Sequence, residues 1–178
     1  MELRIIIVYY LFMFLAPMLA ASIVLAQPLR VECIGDSITV GGGPGTQGGG
    51  YRYFLKQRLG DAIDFVGCSE EYPGPLTDRE HDGHGGWTTR DLIDGKSGLG
   101  CAADWVAECS PDVVLLMIGR NDPWPWTETL DQYRELAAAI FGSAPQVTLV
   151  WSNVLLPADQ GQGETVHCEI QDLSLIHI

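Results

Sequence analysis

Residues 112–118, Asp-Val-Val-Leu-Leu-Met-Ile, constrain the fold of this chain more than any other segment of its sequence. Six of these seven residues are apolar and follow one another without interruption. Continuous apolar runs are typical of strands that are covered on both faces, as in parallel sheets, whereas strands with one wet face alternate polar and apolar residues. We therefore predict a central strand here, buried on both faces within a parallel sheet.

Other apolar runs alternate with helical patterns along the chain. Further strands are predicted at residues 29–34, 63–67 and 147–156. Helices are predicted at residues 51–59, 88–93, 101–109 and 127–141. Strands joined by helices pair in parallel, so the sequence predicts an α/β fold with helices on both faces of the sheet. Ligands of such sheets bind at the carboxyl ends of the strands, here after Ile34 and Ile118.

Two of the predicted helices have a defined apolar face. In the first, the apolar face consists of Tyr51, Phe54, Leu55 and Leu59. In the last, it consists of Leu130, Tyr133, Leu136, Ala137 and Ile140. We expect Gly60 to end the first helix, Thr127 to cap the last one, and Gly142 to end it.

Three polar segments fall where the strand ends should meet. Ser37 directly follows the first strand, Asn121 follows the strand at 112–118, and Gly86 opens a helix between them. A serine hydroxyl beside two backbone N–H groups and a carboxamide supplies one nucleophile and three hydrogen-bond donors. That combination suits acyl transfer through a tetrahedral intermediate. Taken singly, Ser37 could instead cap a helix and Asn121 could be a turn residue.

These segments resemble the SGNH (GDSL-type) hydrolase superfamily. Residues 35–38, Gly-Asp-Ser-Ile, are similar to its first block, and residues 119–122, Gly-Arg-Asn-Asp, to its third. Residues 81–87, His-Asp-Gly-His-Gly-Gly-Trp, resemble the carbohydrate-esterase branch, family 3 in particular. The resemblance spans about residues 31–157 and departs at Arg120, where threonine is commoner. It implies a three-layer α/β/α architecture with a parallel central sheet, the flavodoxin-like SGNH hydrolase fold.

The resemblance also implies an activity. Ser37 would be the nucleophile, and the N–H groups of Ser37 and Gly86 with the Asn121 side chain would form the oxyanion hole. The expected substrate is an O-acetyl or other short acyl ester on carbohydrate, such as acetylated xylan, or a small ester, without cofactor or metal. The alternatives are an exported lipase, lysophospholipase or thioesterase, and a catalytically silent glycan-binding relative. Trp124 and Trp126 could stack on a sugar, but ordinary loop packing is the simpler interpretation.

The catalytic base of the family is expected from a final Asp-x-x-His block, which this sequence lacks. His81 and His84 belong to the second block and are expected to be hydrogen-bonded loop residues. His167 follows an acidic residue at the right spacing but comes too soon after the last strand, so we expect a surface histidine. We therefore expect the family's last strand, last helix, catalytic aspartate and catalytic histidine to lie beyond Asp172. Ester hydrolysis by this chain should then be weak or absent.

Both ends of the chain differ from the predicted domain at residues 27–172. Residues 1–26 combine Arg4, a long apolar run and small residues before Gln27, which predicts a cleaved signal peptide, with an N-terminal anchor as the alternative. The protein should then be secreted, extracellular or periplasmic, and not membrane-bound after cleavage. Residues 173–178, Leu-Ser-Leu-Ile-His-Ile, match the translation of a transposon end used in sequencing libraries. We expect them, including His177, to be read-through rather than native sequence.

Charge excludes one class of partner. The chain has 10 Lys and Arg against 23 Asp and Glu, a net charge of −13, and nucleic-acid binding needs clustered basic residues. Residues 43–48 match G-x-G-x-x-G, but they do not directly follow the strand, so a dinucleotide site is not predicted. We expect a monomer that acts on an acylated polysaccharide or small ester.

The chain contains five cysteines, and in an exported protein some of them should pair. Cys101 and Cys109 flank a short segment and are the preferred pair. No C-x-x-C motif is present, so the sequence does not support a zinc or thioredoxin-like site.

Overall fold

The structure is a computed structural model and describes residues 27–42, 48–71, 74–123 and 129–152. Its strands are β1 (Leu29–Gly35), β2 (Ile63–Val66), β3 (Asp82–Gly83), β4 (Val113–Met117) and β5 (Thr148–Trp151). They form one parallel sheet in the order β2-β1-β4-β5, and β3 pairs with the carboxyl end of β1 just beyond β2. The predicted parallel sheet is therefore confirmed, with one short strand, β3, that was not among the predicted strands.

Helices cover both faces of this sheet. They are α1 (Ser37–Val40), α2 (Gly50–Leu59), α3 (Thr89–Asp94), α4 (Ala102–Cys109) and α5 (Thr129–Ser143), with a 3₁₀ turn at Gly60–Ala62. Helices α3, α4 and α5 pack on one face, and α2 packs on the other. This is the predicted three-layer α/β/α architecture. The predicted leader (1–26), the tail (173–178) and the place expected for a last strand and helix all lie outside the described residues.

The two layers of core differ in size. The larger core joins the sheet to α3, α4 and α5 through Ile34, Val114, Leu116, Trp105, Leu136 and Ile140, among others. The smaller core lies under α2 and consists of Val31, Cys33, Ile63, Phe65 and Leu76. Alternate residues of β1 and β4 thus point into different cores, as the twofold repeat of a strand requires.

The prediction that β4 is buried on both faces is wrong. Val114 and Leu116 are buried on the side of the larger core, but Val113, Leu115 and Met117 are only half-buried. Among the described helices, α2 packs on that face, and its core is centred on β1 and β2. The segments that follow β5 in the sequence lie outside the described residues.

Helix α2 departs from its predicted apolar face. Phe54 and Leu59 are 57% and 46% exposed, although both were assigned to that face. Arg52 is fully buried instead, and its guanidinium donates to the carbonyl oxygens of Thr39, Val40 and Arg79. The helix thus buries a cation whose hydrogen bonds are satisfied by backbone, which apolar periodicity cannot reveal.

The ends of the helices were predicted with mixed success. Gly60 follows α2 with φ of +55° and donates to the Lys56 carbonyl, so this predicted stop is confirmed. Gly142 does not end α5, which continues to Ser143, so that predicted stop is wrong by one residue. Thr127, the expected cap, lies outside the described ranges. Among the helices in those ranges, none has the length and apolarity needed to cross a bilayer.

The preferred disulfide, Cys101 with Cys109, does not fit the structure. Cys101 precedes α4 and Cys109 is its last residue, so the helix separates the two thiols. A helix of this length is about 12 Å long, whereas disulfides need Cα atoms within about 7 Å. Cys109 Sγ lies instead 4.0 Å from Cys68 Sγ.

Candidate active site

The ends of β1 and β4 are pressed together at Gly35. Gly35 pairs with Met117, and a Cβ atom at Gly35 would collide with the Met117 carbonyl and lie 2.5 Å from Thr39 Oγ1. Only glycine fits such a contact. The residue therefore sets how closely the segments that follow the two strands, with Ser37 and Asn121, approach one another.

Ser37 begins the short helix α1. Asp36 precedes it in extended conformation and is fully buried, and its Oδ1 accepts a hydrogen bond from the Ile38 N–H at 2.9 Å. This cap fixes the first turn, in which Thr39 is buried while Ser37 is exposed to solvent. Burial raises the pKa of the Asp36 carboxyl. The Ser37 side chain is thus presented outward by a buried anchor.

Gly86 lies in a turn that is bonded to the end of β1. The His84 N–H donates to the Gly35 carbonyl at 2.9 Å, and the Trp87 N–H closes the turn onto the His84 carbonyl at 3.2 Å. Gly86 is exposed and has φ of +77°, while a Cβ atom there would meet nothing within 4 Å. Backbone conformation rather than space is therefore what favours glycine at this position.

Asn121 is tied to the same turn. Its Nδ2 donates to the Trp87 carbonyl at 2.9 Å, and the carboxamide carries a second hydrogen that this bond does not use. The neighbouring Asp122 is buried and accepts from Thr89 N at 2.7 Å and from Thr89 Oγ1 at 2.6 Å. These bonds hold the Asn121 segment against the start of α3.

The structure brings the three predicted segments together at one edge of the sheet. Pairing of β1 with β4 brings the segment at 35–37 beside the segment at 119–122. The hydrogen bonds of His84 and Asn121 join the segment at 84–87 to both of them. We call residues 35–37, 84–87 and 119–122 the rim. Ser37, Gly86 and Asn121 are all exposed on it. An exposed hydroxyl near backbone and carboxamide donors is an arrangement that can carry out acyl transfer.

The two described histidines serve the scaffold. His81 is fully buried; its Nδ1 accepts from the Gly83 N–H at 2.9 Å, so the neutral ring donates from Nε2 to the Glu71 carbonyl at 3.1 Å. Burial lowers the pKa of His81 to about 4. The His84 ring stacks on Trp87 with centroids 4.4 Å apart, and burial lowers its pKa. Neither ring hydrogen-bonds Ser37.

For His81 the prediction of a hydrogen-bonded loop residue is confirmed. For His84 only the backbone is hydrogen-bonded, to Gly35 and Trp87, and the ring nitrogen Nε2 is buried without a hydrogen-bond partner. His167, His177, Trp124 and Trp126 lie outside the described residues.

Sequence reasoning missed a second polar group, beneath the loop that follows β2. Glu32 in β1 is fully buried, its carboxyl oxygens accept no N–H bond from the described residues, and its carboxyl group interacts with that of Asp82. Burial, and then the charge of Asp82, raise the pKa of Glu32 to about 9, while burial raises that of Asp82 to about 6. The available signal was Glu32 itself, an acidic residue between the apolar Val31 and Cys33 of β1.

Two cysteines lie beside this carboxyl pair. The ligand atoms of Cys68, Asp82 and Cys109 all lie within 4.8 Å of one another, and these residues could hold a cation. We call Glu32, Cys68, Asp82 and Cys109 the cysteine pocket.

Comparison with known proteins gives the chain a family. The sequence model of the GDSL-like lipase/acylhydrolase family matches residues 33–172. A multidomain esterase from Ruminococcus flavefaciens is 33% identical over 126 residues, covering 60% of this chain and 16% of that protein. The chain therefore spans about one sixth of the length of this curated relative.

Solved structures share the fold. The family 3 carbohydrate esterase of Clostridium thermocellum matches with a TM-score of 0.63 at 27% identity, covering 83% of this chain and 71% of that one. A family 3 carbohydrate esterase from Talaromyces cellulolyticus matches with a TM-score of 0.66 at 23% identity, covering 81% and 71%. The second likeness bears on the fold alone.

Proposed function

The chain belongs to the GDSL-like lipase/acylhydrolase family, and we propose that it is an exported esterase that removes O-acetyl or other short acyl groups from carbohydrate. Ester hydrolysis follows from the family. The choice of a carbohydrate ester is supported by the segment at residues 81–87 and by the likeness to the family 3 carbohydrate esterase of Clostridium thermocellum. Export is supported by the leader-like residues 1–26.

We propose Ser37 as the nucleophile. Its Oγ attacks the ester carbonyl carbon as its proton passes to a base, and the carbonyl oxygen becomes an oxyanion. The N–H groups of Ser37 and Gly86 and the free Nδ2 hydrogen of Asn121 stabilise this charge. The intermediate collapses, the sugar hydroxyl leaves with a proton, and water then releases the acid from the acyl-serine. One donor of this kind typically contributes about 3–4 kcal/mol to lowering the barrier.

The observation that carries this proposal is the bonding of the rim. The Asn121 carboxamide is oriented by the Trp87 carbonyl, and Asp122 is held by Thr89, so the donors do not have to be ordered when substrate binds. Preorganised dipoles stabilise a developing charge without the cost of reorganisation. The exposed Ser37 lies on the same rim, so these donors could stabilise the oxyanion formed when it attacks an ester.

The base has to come from outside the described residues. His81 uses both ring nitrogens within the fold, and the His84 ring is packed between Trp87 and Trp105. We propose that an Asp-x-x-His block encoded beyond Asp172 supplies the base, with His167 as the alternative. Sequencing the gene past the codon for Asp172 tests this directly, and an open reading frame without such a block would favour a silent glycan-binding relative.

Substrate class is tested by comparing products. Acetate release from acetylated xylan and hydrolysis of p-nitrophenyl esters of rising chain length are measured for the gene product read past Asp172, with Ser37→Ala as control. The proposal predicts acetate release and a preference for acetyl over long acyl chains, both abolished by Ser37→Ala. Preference for long chains would instead identify a lipase or thioesterase. Residues 27–178 alone should hydrolyse p-nitrophenyl acetate weakly or not at all.

A further inference from the structure

The two thiols of the cysteine pocket are in contact. Cys68 follows β2 and is exposed, Cys109 ends α4 and is half-buried, and their Sγ atoms lie 4.0 Å apart although the residues are 41 positions apart in sequence. A disulfide needs an S–S distance of about 2.05 Å, and rotation about the two Cα–Cβ bonds changes this separation without moving the backbone.

The other described cysteines have no comparable neighbour. Cys33 is fully buried beneath α2, on the opposite face of the sheet. Cys101 lies at the far end of α4, where its Sγ donates to Asp104 Oδ2 at 3.2 Å. Within the described ranges, the Cys68 and Cys109 thiols are therefore the pair that geometry selects.

We propose that Cys68 and Cys109 form a disulfide bond that joins the loop after β2 to the end of α4 when the chain meets an oxidising thiol–disulfide buffer. With glutathione disulfide as the oxidant, the Cys68 thiolate attacks one glutathione sulfur. The glutathione S–S bond breaks, a mixed disulfide forms, and one glutathione leaves and takes up a proton. The Cys109 thiolate then attacks the Cys68 sulfur and releases the second glutathione. Two protein thiols are oxidised and one glutathione disulfide is reduced.

The surroundings of the pair set the rate of this step. Cys68 N donates to both carboxylate oxygens of Asp82, at 3.1 and 3.2 Å, and Cys68 Sγ lies 3.9 Å from Glu108 Oε2. Burial raises the pKa of both thiols, and the carboxyl groups of Asp82 and Glu108 add to this rise for Cys68. Fewer thiolates at neutral pH make oxidation slow, and thiols with a high pKa leave poorly, so the closed disulfide also resists reduction.

The position of the bond gives it a structural consequence. Asp82 belongs to β3, which pairs with the end of β1 and leads into His84 and Gly86. A disulfide at Cys68 therefore anchors the loop that runs into the second segment of the rim. It also closes a long stretch of chain, which restricts the unfolded state and should raise the melting temperature by about 5–10 °C.

The experiment maps the bond in the full chain. The protein is equilibrated with reduced and oxidised glutathione at pH 8.5, free thiols are alkylated, and the chain is digested with trypsin and a glutamate-specific protease. Trypsin leaves Cys101 and Cys109 in one peptide, and the cut after Glu108 separates them. We expect a peptide pair linked through Cys68 and Cys109, and slower formation of this pair at pH 7 than at pH 8.5.

Matched variants complete the test. Cys101→Ser and Cys168→Ser should keep both the linked peptides and the rise in melting temperature on oxidation, whereas Cys68→Ser should lose both. Three results overturn the proposal: alkylation of both thiols after equilibration, a link from Cys109 to Cys101 or Cys168, or one tightly bound divalent ion per chain with both thiols reduced. The peptide map needs only the unaltered chain, so misfolding of a variant does not prevent a decision.

Discussion

Asp122 at the rim and Glu32 in the cysteine pocket are both buried carboxylic acids, but their partners differ. Asp122 accepts two hydrogen bonds from Thr89, at 2.7 and 2.6 Å, whereas Glu32 has no such donor among the described residues and its carboxyl group interacts with that of Asp82. The donors on Asp122 let it tether a loop, whereas burial beside the Asp82 carboxyl group favours the protonated form of Glu32. The buried carboxyl group therefore holds the Asn121 segment in place in the first region, whereas in the second, burial raises the pKa of Glu32.

The two regions also use the end of a strand differently. At the rim, tight backbone packing at Gly35 and bonds among three loops fix the directions of side chains that reach solvent. In the cysteine pocket, two thiols lie in contact, with their Sγ atoms 4.0 Å apart. We expect substitutions of Gly35, Ser37 or Asn121 to change activity or folding at every pH, and substitutions in the pocket to act through pH and redox conditions.

The largest effect is expected from Gly35→Ala. The added methyl group collides with the Met117 carbonyl, a backbone atom that cannot move aside without separating β1 from β4. We expect a loss of at least about 4 kcal/mol in the free energy of unfolding, or failure to fold. Urea unfolding measures this, with Gly142→Ala as control, since a Cβ at Gly142 meets nothing within 4 Å. Equal stability of the two variants would show that the strand ends are not in close contact.

Asn121→Ala should affect the reaction more than the fold. Loss of one oxyanion donor lowers kcat by about 100- to 1000-fold. Loss of the bond to the Trp87 carbonyl should cost about 1 kcal/mol in the free energy of unfolding. Kinetics on p-nitrophenyl acetate measure the effect in the gene product read past Asp172. Arg120→Thr, a neighbouring exposed substitution, should leave kcat within about twofold. A rise in KM alone, with kcat unchanged, would show that Asn121 is not part of the oxyanion hole.

Glu32→Gln should change how stability depends on pH. The unfolded carboxyl loses its proton near pH 4.5 and the folded one near 9, so the native protein loses stability as pH rises through this window. We expect Glu32→Gln to reduce this slope by about 1 kcal/mol per pH unit, measured by urea unfolding from pH 5 to 8. Asp64→Asn, on the surface side of β2, is the control. An unchanged slope would mean that Glu32 ionises normally.

The smallest effect is expected from Thr89→Val. The variant keeps the backbone bond to Asp122 but removes the Oγ1 donor at 2.6 Å, leaving part of a buried carboxylate unsatisfied. The cost should be about 2 kcal/mol, seen as a lower melting temperature. Thr148→Val makes the same change at an exposed position of β5 and should cost less than about 0.5 kcal/mol. If the two variants lost the same amount of stability, the bond between Thr89 and Asp122 would not stabilise the fold.

Much of the fold and the place of the rim could be predicted because each depends on local pattern. The apolar runs of β1 and β4 and the turn residues after them put Ser37 and Asn121 on one edge of a parallel sheet. Strand β3 could not be predicted, because two residues within a polar loop carry no periodicity. The half-buried face of β4 depends on which segments pack against it, which is a tertiary property.

The cysteine pairing failed for a related reason. Cys101 and Cys109 are close in sequence, but a helix between them holds them apart, while Cys68 reaches Cys109 through the packing of α4 against the sheet. Similarly, the buried role of Arg52 depends on three carbonyl groups from other segments. Contacts between distant segments were the part that the sequence pattern did not contain.

A crystal structure of the gene product read past Asp172 tests the central claim most directly. The decisive quantities are the distances from one point beside Ser37 Oγ to Gly86 N, Ser37 N and Asn121 Nδ2. We predict that a single oxygen position lies about 3 Å from all three donors, with Ser37 Oγ close enough to attack the carbon bonded to it. Donors that point to separate positions, or an Asn121 carboxamide turned away from Ser37, would contradict the account.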